Sequence, residues 1–355
     1  MGRTREMDSN RRSTRSSNVK LITYFFALIV AVYVLIYMPT PYVIYEPGSA
    51  DEIKPLVTVK NGDPEEKGTF MLTTVLRKKA NVALMLASVF DKNEQLTKEN
   101  LGGRTQQEYT TEQLFNMSNS QTSAMAAAYL HAKIPFDVIM DKLVIIYNNP
   151  QLETKNDFQT GDQLLSLDGV KFKQYDELIN LLQSKKVGDV LKGKVLRNNK
   201  ETDVKVELIE LKDAKGNTRP GMGVNFGIEQ KVVPRGSDKE IQFKVENIGG
   251  PSAGLMFTLE LVNQLTAGDL SKGYRVAGTG TVSPDGSVGP IGGIPHKIVA
   301  ADREHADIFF APAQNYDEAK KKYDTIKTDM KLVKVNTVDD ALDYLKSLPD
   351  KTTTK

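Results

Sequence analysis

The sequence predicts an α+β protein: a membrane-spanning helix near the amino terminus, a small β-rich domain in the middle, and a mixed α+β domain at the carboxy-terminal end. Three observations predict it. Residues 21–38 form an uncharged, apolar run long enough to cross a bilayer. Between 134 and 211, short apolar runs alternate with Gly, Asn and Asp turns, which is the pattern of short strands. Beyond residue 240, two Gly/Pro-framed segments each open a stretch of helical spacing.

A chain of 355 residues is long enough for two globular domains plus appendages. Cysteine is absent, which excludes disulfides, zinc–thiolate sites and a cysteine nucleophile. The three histidines, His131, His296 and His305, are too few and too scattered for a metal site, and no cofactor is expected. The net charge of +2 conceals an asymmetry. Residues 1–20 hold Arg3, Arg5, Arg11, Arg12, Arg15 and Lys20 against Glu6 and Asp8, a balance of +4, so the rest of the chain carries −2. That remainder argues against a nucleic-acid-binding surface.

The apolar run of 18 residues exceeds the core of a signal peptide. Its flank reads Pro39-Thr40-Pro41-Tyr42-Val43-Ile44-Tyr45, without a small-x-small cleavage site, which favours an uncleaved anchor over 21–38. Lys and Arg crowd its amino-terminal side, and none follows the run until Lys54. The positive-inside rule then makes residues 1–20 a cytoplasmic tail and places everything after Met38 outside. Tyr33, Tyr37 and Tyr42 suit the outer interface.

Residues 39–133 read as an extracytoplasmic region, with a strand over 69–75 opened by Gly68 and helical character from about 81. The alanine-rich stretch 120–131 fits a helix. Residues 212–239 are expected to be a polar linker and the entry to the next domain, 240–348 the mixed domain, and 349–355 a polar tail. Within 134–211, the run Gly161-Asp162-Gln163-Leu164-Leu165-Ser166-Leu167-Asp168-Gly169, a helix over 175–184 and two closing strands resemble the second half of a PDZ domain. The resemblance implies capture of an extended peptide as a strand added to an exposed sheet edge. A small β-domain without a ligand is the plainer alternative.

Two glycine-rich segments are decoys. Gly188-Asp189-Val190-Leu191-Lys192-Gly193-Lys194-Val195 has Val195 where a phosphate loop needs Ser or Thr, and it leads into a strand. Gly278-Thr279-Gly280 lacks the third glycine of a dinucleotide fingerprint. No ATP site is expected.

The chemistry-bearing segments are Gly249-Gly250-Pro251-Ser252-Ala253-Gly254 and Gly292-Gly293-Ile294-Pro295-His296-Lys297. A serine becomes a nucleophile when a base removes its proton, and a neutral lysine does that. Pro251 predicts a helix over 251–266 with Ser252 in its first turn, where partnerless N–H groups and the helix dipole suit an oxyanion. Gly250, Pro251 and Ala253 would give that site its backbone support. Lys297 falls in the first turn of a helix over 295–305, where the dipole disfavours a cation, and Ala300 and Ala301 on its face pack closely. Both effects lower a lysine pKa toward neutrality. Taken singly, each segment also reads as an ordinary helix start, with a solvated lysine in the second. A Ser–His pair using His296 has no evident acidic partner.

Taken together, the two motifs resemble the proteolytic domain of Lon proteases. That family carries Gly/Asp-Gly-Pro-Ser-Ala-Gly around its nucleophile and Gly-Gly-Ile-x-x-Lys-x-x-Ala-Ala around its base. Here stand Gly250-Pro251-Ser252-Ala253-Gly254 and Gly292-Gly293-Ile294-Pro295-His296-Lys297-Ile298-Val299-Ala300-Ala301. The resemblance implies Ser252 as nucleophile and Lys297 as general base. Lon proteases also carry an ATPase module, which is not legible here. An anchor followed by a PDZ-like domain is similar to the small membrane-anchored Lon-like proteases of Gram-positive bacteria, the YlbL/SepM group. Pro47-Gly48-Ser49-Ala50-Asp51 and Gly68-Thr69-Phe70-Met71-Leu72-Thr73-Thr74-Val75 fit that group too. The implied activity is an ATP-independent serine endopeptidase on the outer membrane face. Its substrates would be extended peptides or flexible proteins, such as pheromones or cell-envelope and division regulators. Lon-like domains often form rings, so a homo-oligomer falls within what the resemblance implies. Two alternatives compete: a small-molecule kinase of related fold whose Gly/Ser loop binds phosphate, and a catalytically silent PDZ scaffold.

Overall fold

The computed structural model describes residues 3–212, 216–236, 238–245 and 248–351. Parts of the expected basic tail (1–2), linker (213–215 and 237), mixed domain (246–247) and polar tail (352–355) lie outside the described residues. The chain forms two compact units, one built from residues 1–47 and Val75–Glu99, the other from Gly48–Thr74 and residues 100–355.

The first unit contains α1 (Arg3–Tyr37), whose stretch Lys20–Tyr37 is apolar, unburied and long enough to cross a membrane. The chain continues through β1 (Pro39–Glu52), β2 (Val57–Val59), β3 (Thr69–Asn81), α2 (Val82–Ser88) and β4 (Gln95–Lys98). Of these, the first half of β1, the end of β3, α2 and β4 belong to the first unit. The helical character expected from residue 81 breaks here. Asn81 closes β3 and caps α2, accepting from Leu84 N at 2.8 Å. Asp91 then accepts from Asn93 N at 2.8 Å, a turn that hands the chain to β4. β4 pairs antiparallel with β1 from Tyr42↔Lys98 to Tyr45↔Gln95.

The second unit takes the end of β1, β2 and the start of β3, and resumes with α3 (Gln106–His131), started by a capping box between Thr105 and Glu108. The PDZ-like part follows: β5 (Phe136–Asn148), β6 (Lys155–Asn156), β7 (Gln163–Leu167), α4 (Tyr175–Gln183), β8 (Val190–Arg197) and β9 (Lys200–Glu207). Beyond them lie β10 (Ile209–Lys212), β11 (Thr218–Gly221) and β12 (Val224–Pro234). The stretch expected as a linker is therefore largely strand. Its apolar residues Met222, Val224, Phe226 and Ile228 pack on the same core as Leu143, Leu167 and Leu178.

The Gly161-Asp162 motif has a physical basis. Gly161 takes φ +89°, and Asp162 is buried where its carboxylate accepts from Arg197 Nε at 2.8 Å and Nη2 at 2.7 Å. Arg197→Ala leaves that buried carboxylate without its cation and with the Gln159 N–H, at 2.8 Å, as its remaining donor, a change that costs about 3 kcal/mol. The expected result is a separate, lower-temperature unfolding step for residues 134–211, read by calorimetry of the full chain.

The sheet runs β12-β5-β7-β8-β9-β6. β12 pairs antiparallel with β5 from Val224↔Asn148 to Pro234↔Phe136, so β5 has β7 on one side and β12 on the other. β12 therefore extends the sheet beyond β5 and forms its outer edge on that side. A cavity of about 710 Å³ remains between Tyr175, Ile179 and Leu182 of α4, the start of β12, and Lys212 and Arg219 of the β10–β11 hairpin.

The remaining elements are β13 (Ile241–Phe243), α5 (Gly254–Leu265), β14 (Arg275–Gly278), β15 (Thr281–Val282), β16 (Val288–Gly289) and α6 (Ile294–Arg303), then β17 (Ile308–Pro312), α7 (Tyr316–Tyr323), β18 (Lys331–Val335) and α8 (Val338–Ser347). β18, β17, β14 and β3 lie side by side, all parallel. The segment 240–348 is thus completed by chain from ahead of the PDZ-like part. Thr69–Leu72 of β3 pair with Arg275–Gly278, and β2 pairs with β13. Gly68 permits this approach, because a Cβ there would lie 2.1 Å from the Tyr274 carbonyl oxygen. α3 contributes Met117, Ala124, Ala127 and Ala128 to one core with Phe70, Leu255, Phe257, Val276 and Phe310. α5 is buried from Gly254 through Gln264, with Thr258, Glu260, Asn263 and Gln264 among its buried residues.

Candidate active site

α5 starts at Gly254, so Pro251, Ser252 and Ala253 form a turn ahead of the helix rather than its first turn. Backbone bonds explain the offset. Gly250 takes φ +92°, which favours glycine, and its N–H donates to the Gln113 carbonyl at 2.8 Å. The Pro251 carbonyl accepts from Ser120 Oγ at 3.0 Å. The Ser252 carbonyl accepts from Gly280 N at 2.9 Å and Thr279 Oγ1 at 3.0 Å. The serine turn is therefore clamped by α3 on one side and by residues 279–280 on the other. Leu255 N–H donates to the Gly280 carbonyl at 3.1 Å, and Pro251 has no N–H. The amides of Ser252, Ala253 and Gly254, at the positive end of α5, are the candidate oxyanion donors.

Lys297 stands in the first turn of α6, which starts after Gly293 at φ +71° and has Pro295 as its second residue. Its side chain is inside the protein at 4 % exposure. Nζ lies 3.0 Å from Ser252 Oγ and donates to the Thr73 carbonyl at 2.5 Å. Burial lowers the Lys297 pKa from 10.5 to about 7. Desolvation produces the shift that the sequence attributes partly to the helix dipole. A neutral amine held this way keeps one N–H on Thr73 and offers its lone pair to the serine hydroxyl.

Beside Ser252 lies a cavity of about 320 Å³ lined by Pro251, Pro290, Ile291 and Gly292. The buried Asn315 amide holds its wall, donating to the Ile291 carbonyl at 3.0 Å and accepting from Ile291 N at 2.8 Å. Ser252, Lys297, Gly250, Pro251 and Ala253 are all brought together. Sequence reasoning misses Thr73, Ser120, Gln113, Thr279 and Gly280. Thr73 and Gln113 act through carbonyls, which leave no side-chain signature. Gly278-Thr279-Gly280 does leave one, in a different sense from a nucleotide loop: a Cβ on Gly278 would lie 2.6 Å from Met256 Sδ and 3.0 Å from the Phe310 carbonyl oxygen.

Residues 246–347 match the Lon protease (S16) C-terminal proteolytic domain. This part of the chain is a Lon-type proteolytic domain. Residues 132–208 match the PDZ domain. The chain is 35 % identical over 94 residues to the Lon protease of Campylobacter concisus, covering 26 % of this chain and 11 % of that protein. It is 29 % identical over 157 residues to the Lon protease of Azospirillum brasilense, covering 43 % of this chain and 18 % of that protein. It therefore spans less than a fifth of either relative. Among solved structures, the PDZ domain of an SdrC-like protein from Listeria monocytogenes is 33 % identical, covering 20 % of this chain and 70 % of that one, with a TM-score of 0.18.

Proposed function

We propose that this protein is a membrane-anchored serine endopeptidase with a Ser252–Lys297 dyad, working without ATP on extracytoplasmic peptides and flexible proteins. The observation that carries the reading is Ser252 Oγ at 3.0 Å from the amine of a buried lysine whose pKa is about 7. Lys297 takes the Ser252 proton as Oγ attacks the scissile carbonyl, and amides at the head of α5 stabilise the oxyanion. The protonated Lys297 then gives its proton to the leaving amine, which leaves an acyl-enzyme on Ser252. Water, activated by the neutral lysine, releases the acyl group and restores the hydroxyl. The substrates in this reading are peptides and protein segments that are already extended. The PDZ domain selects among them, with the cavity between α4 and β12 as its contact surface.

The test is to incubate the purified full chain with a flexible peptide pool, with and without ATP, and map the cuts by mass spectrometry. Cutting is expected without nucleotide, together with stoichiometric labelling of Ser252 by a fluorophosphonate. Cuts that persist in Ser252→Ala would overturn the dyad.

The topology gives a separate prediction. With six basic residues ahead of the span and none between it and Lys54, residues 1–20 lie inside the cell and the proteolytic domain outside. External protease on intact cells is expected to remove the carboxy-terminal domain and spare an amino-terminal tag. Full protection of that domain would reverse the orientation.

A further inference from the structure

An apolar surface separate from the catalytic serine lies in the unit that holds α1. Phe90 is 89 % exposed, Val89 77 % and Leu86 59 %, with Leu76 of β3 also exposed. The spacing of Leu86, Val89 and Phe90 is i, i+3 and i+4, and Phe90 N donates to the Ala87 carbonyl at 3.0 Å, so the helical turn continues through them. Contiguous large apolar side chains of this kind are uncommon on surfaces that face only water.

Asn81 fixes where this surface sits relative to the span. Its Oδ1 caps α2, and its Nδ2 donates to the Ile36 carbonyl at 2.7 Å. Ile36 lies in the last turn of α1, where carbonyls lack intrahelical partners. One side chain thus ties the start of α2 to the end of the apolar helix. Tyr33 and Tyr37 stack at that same end, with ring centroids 5.2 Å apart, as residues of an interfacial belt do. Exposed Lys79 and Lys92 flank α2 and suit phosphate headgroups.

We propose that α2 and the Val89–Phe90 turn lie in the headgroup–acyl boundary of the bilayer that α1 crosses, as an interfacial foot. This rests on the membrane reading of α1 given above. The occupant is lipid, because the patch continues directly from the end of the span and carries Lys79 and Lys92 at its borders, with one exposed carboxylate, Asp91, beside them. A foot of this kind adds a second hold beside the helix and restricts rotation of the chain about the span.

The protein contains no tryptophan, so a single introduced one reports alone. Phe90→Trp changes a side chain with almost no packing to lose. The full chain is reconstituted in phosphatidylcholine–phosphatidylglycerol vesicles, with and without acyl chains brominated near the headgroup. The emission of Phe90→Trp is expected to shift to the blue and to fall at least twofold with brominated lipid. Val30→Trp, in the middle of the apolar stretch, serves as companion and is expected to be quenched by bromine placed deeper. If Val30→Trp is not quenched, α1 does not span and both readings fall. If only Phe90→Trp emits as in water, the foot alone is refuted. A blue shift without bromine quenching also refutes it, since a protein rather than lipid then covers the patch.

Discussion

Ser252→Ala is expected to reduce peptide cleavage by roughly 10⁴-fold or more while leaving the fold intact. The substitution removes one oxygen whose hydrogen-bond neighbour is Lys297 Nζ, and that amine keeps the Thr73 carbonyl. The turn itself is held through backbone atoms, by Gln113, Ser120, Thr279 and Gly280, none of which touches Oγ. Thermal stability is therefore expected to stay within about 1 kcal/mol of the parent. Lys297→Arg is expected to be nearly as damaging to turnover, since a guanidinium stays protonated at any working pH and cannot accept the serine proton. Peptide turnover by mass spectrometry and folding by circular dichroism check both variants. Substantial turnover by Lys297→Arg would remove lysine from the role of base and make His296, also buried on α6, the next residue to examine.

The two motifs were legible because their chemistry lives in side chains of fixed identity. Ser252 and Lys297 can be found by type and spacing, and the glycines and prolines that frame them announce turns and helix starts. The start of α5 was not legible. Pro251 fits a first helical position, yet the carbonyls of Pro251 and Ser252 are claimed by Ser120, Thr279 and Gly280, which holds the turn out of the helix. Such partners come from distant chain, so no local pattern reports them. The same reason hides β3 as a strand of the proteolytic sheet: its apolar run is visible, but its neighbour is residue 275 and beyond. Residues 212–239 read as a linker because of their Gly, Pro and charge, whereas β12 gains its stability by pairing with β5, 76 to 98 positions earlier in sequence from Val224↔Asn148 to Pro234↔Phe136. That pairing makes β12, rather than β5, the edge strand on that side of the sheet.

Lys297→Met is expected to abolish turnover and at the same time to stabilise the protein at neutral pH. Burial lowers the Lys297 pKa from 10.5 to about 7. Between these values the unfolded chain holds a proton that the folded chain does not, so folding stability rises with pH across that window. Below about pH 7 the lysine is charged in both states and the full cost of burying the charge is present. A pKa lowered from 10.5 to about 7 corresponds to roughly 5 kcal/mol. Methionine has a similar unbranched stem without the charge, but it leaves the Thr73 carbonyl without its donor, at a cost of about 1–3 kcal/mol. The net gain at pH 7 is therefore about 2–4 kcal/mol, a clear rise in Tm. The advantage of Lys297→Met over the parent should then shrink as pH is raised from 7 to 10, because the parent gains stability and the variant does not. Parent activity should follow the same proton, rising through about pH 7 as the amine becomes neutral. Denaturant titrations of both proteins at several pH values decide the matter. A lysine with an ordinary pKa of 10.5 would give no convergence between pH 7 and 10, and the buried neutral base would have to be abandoned.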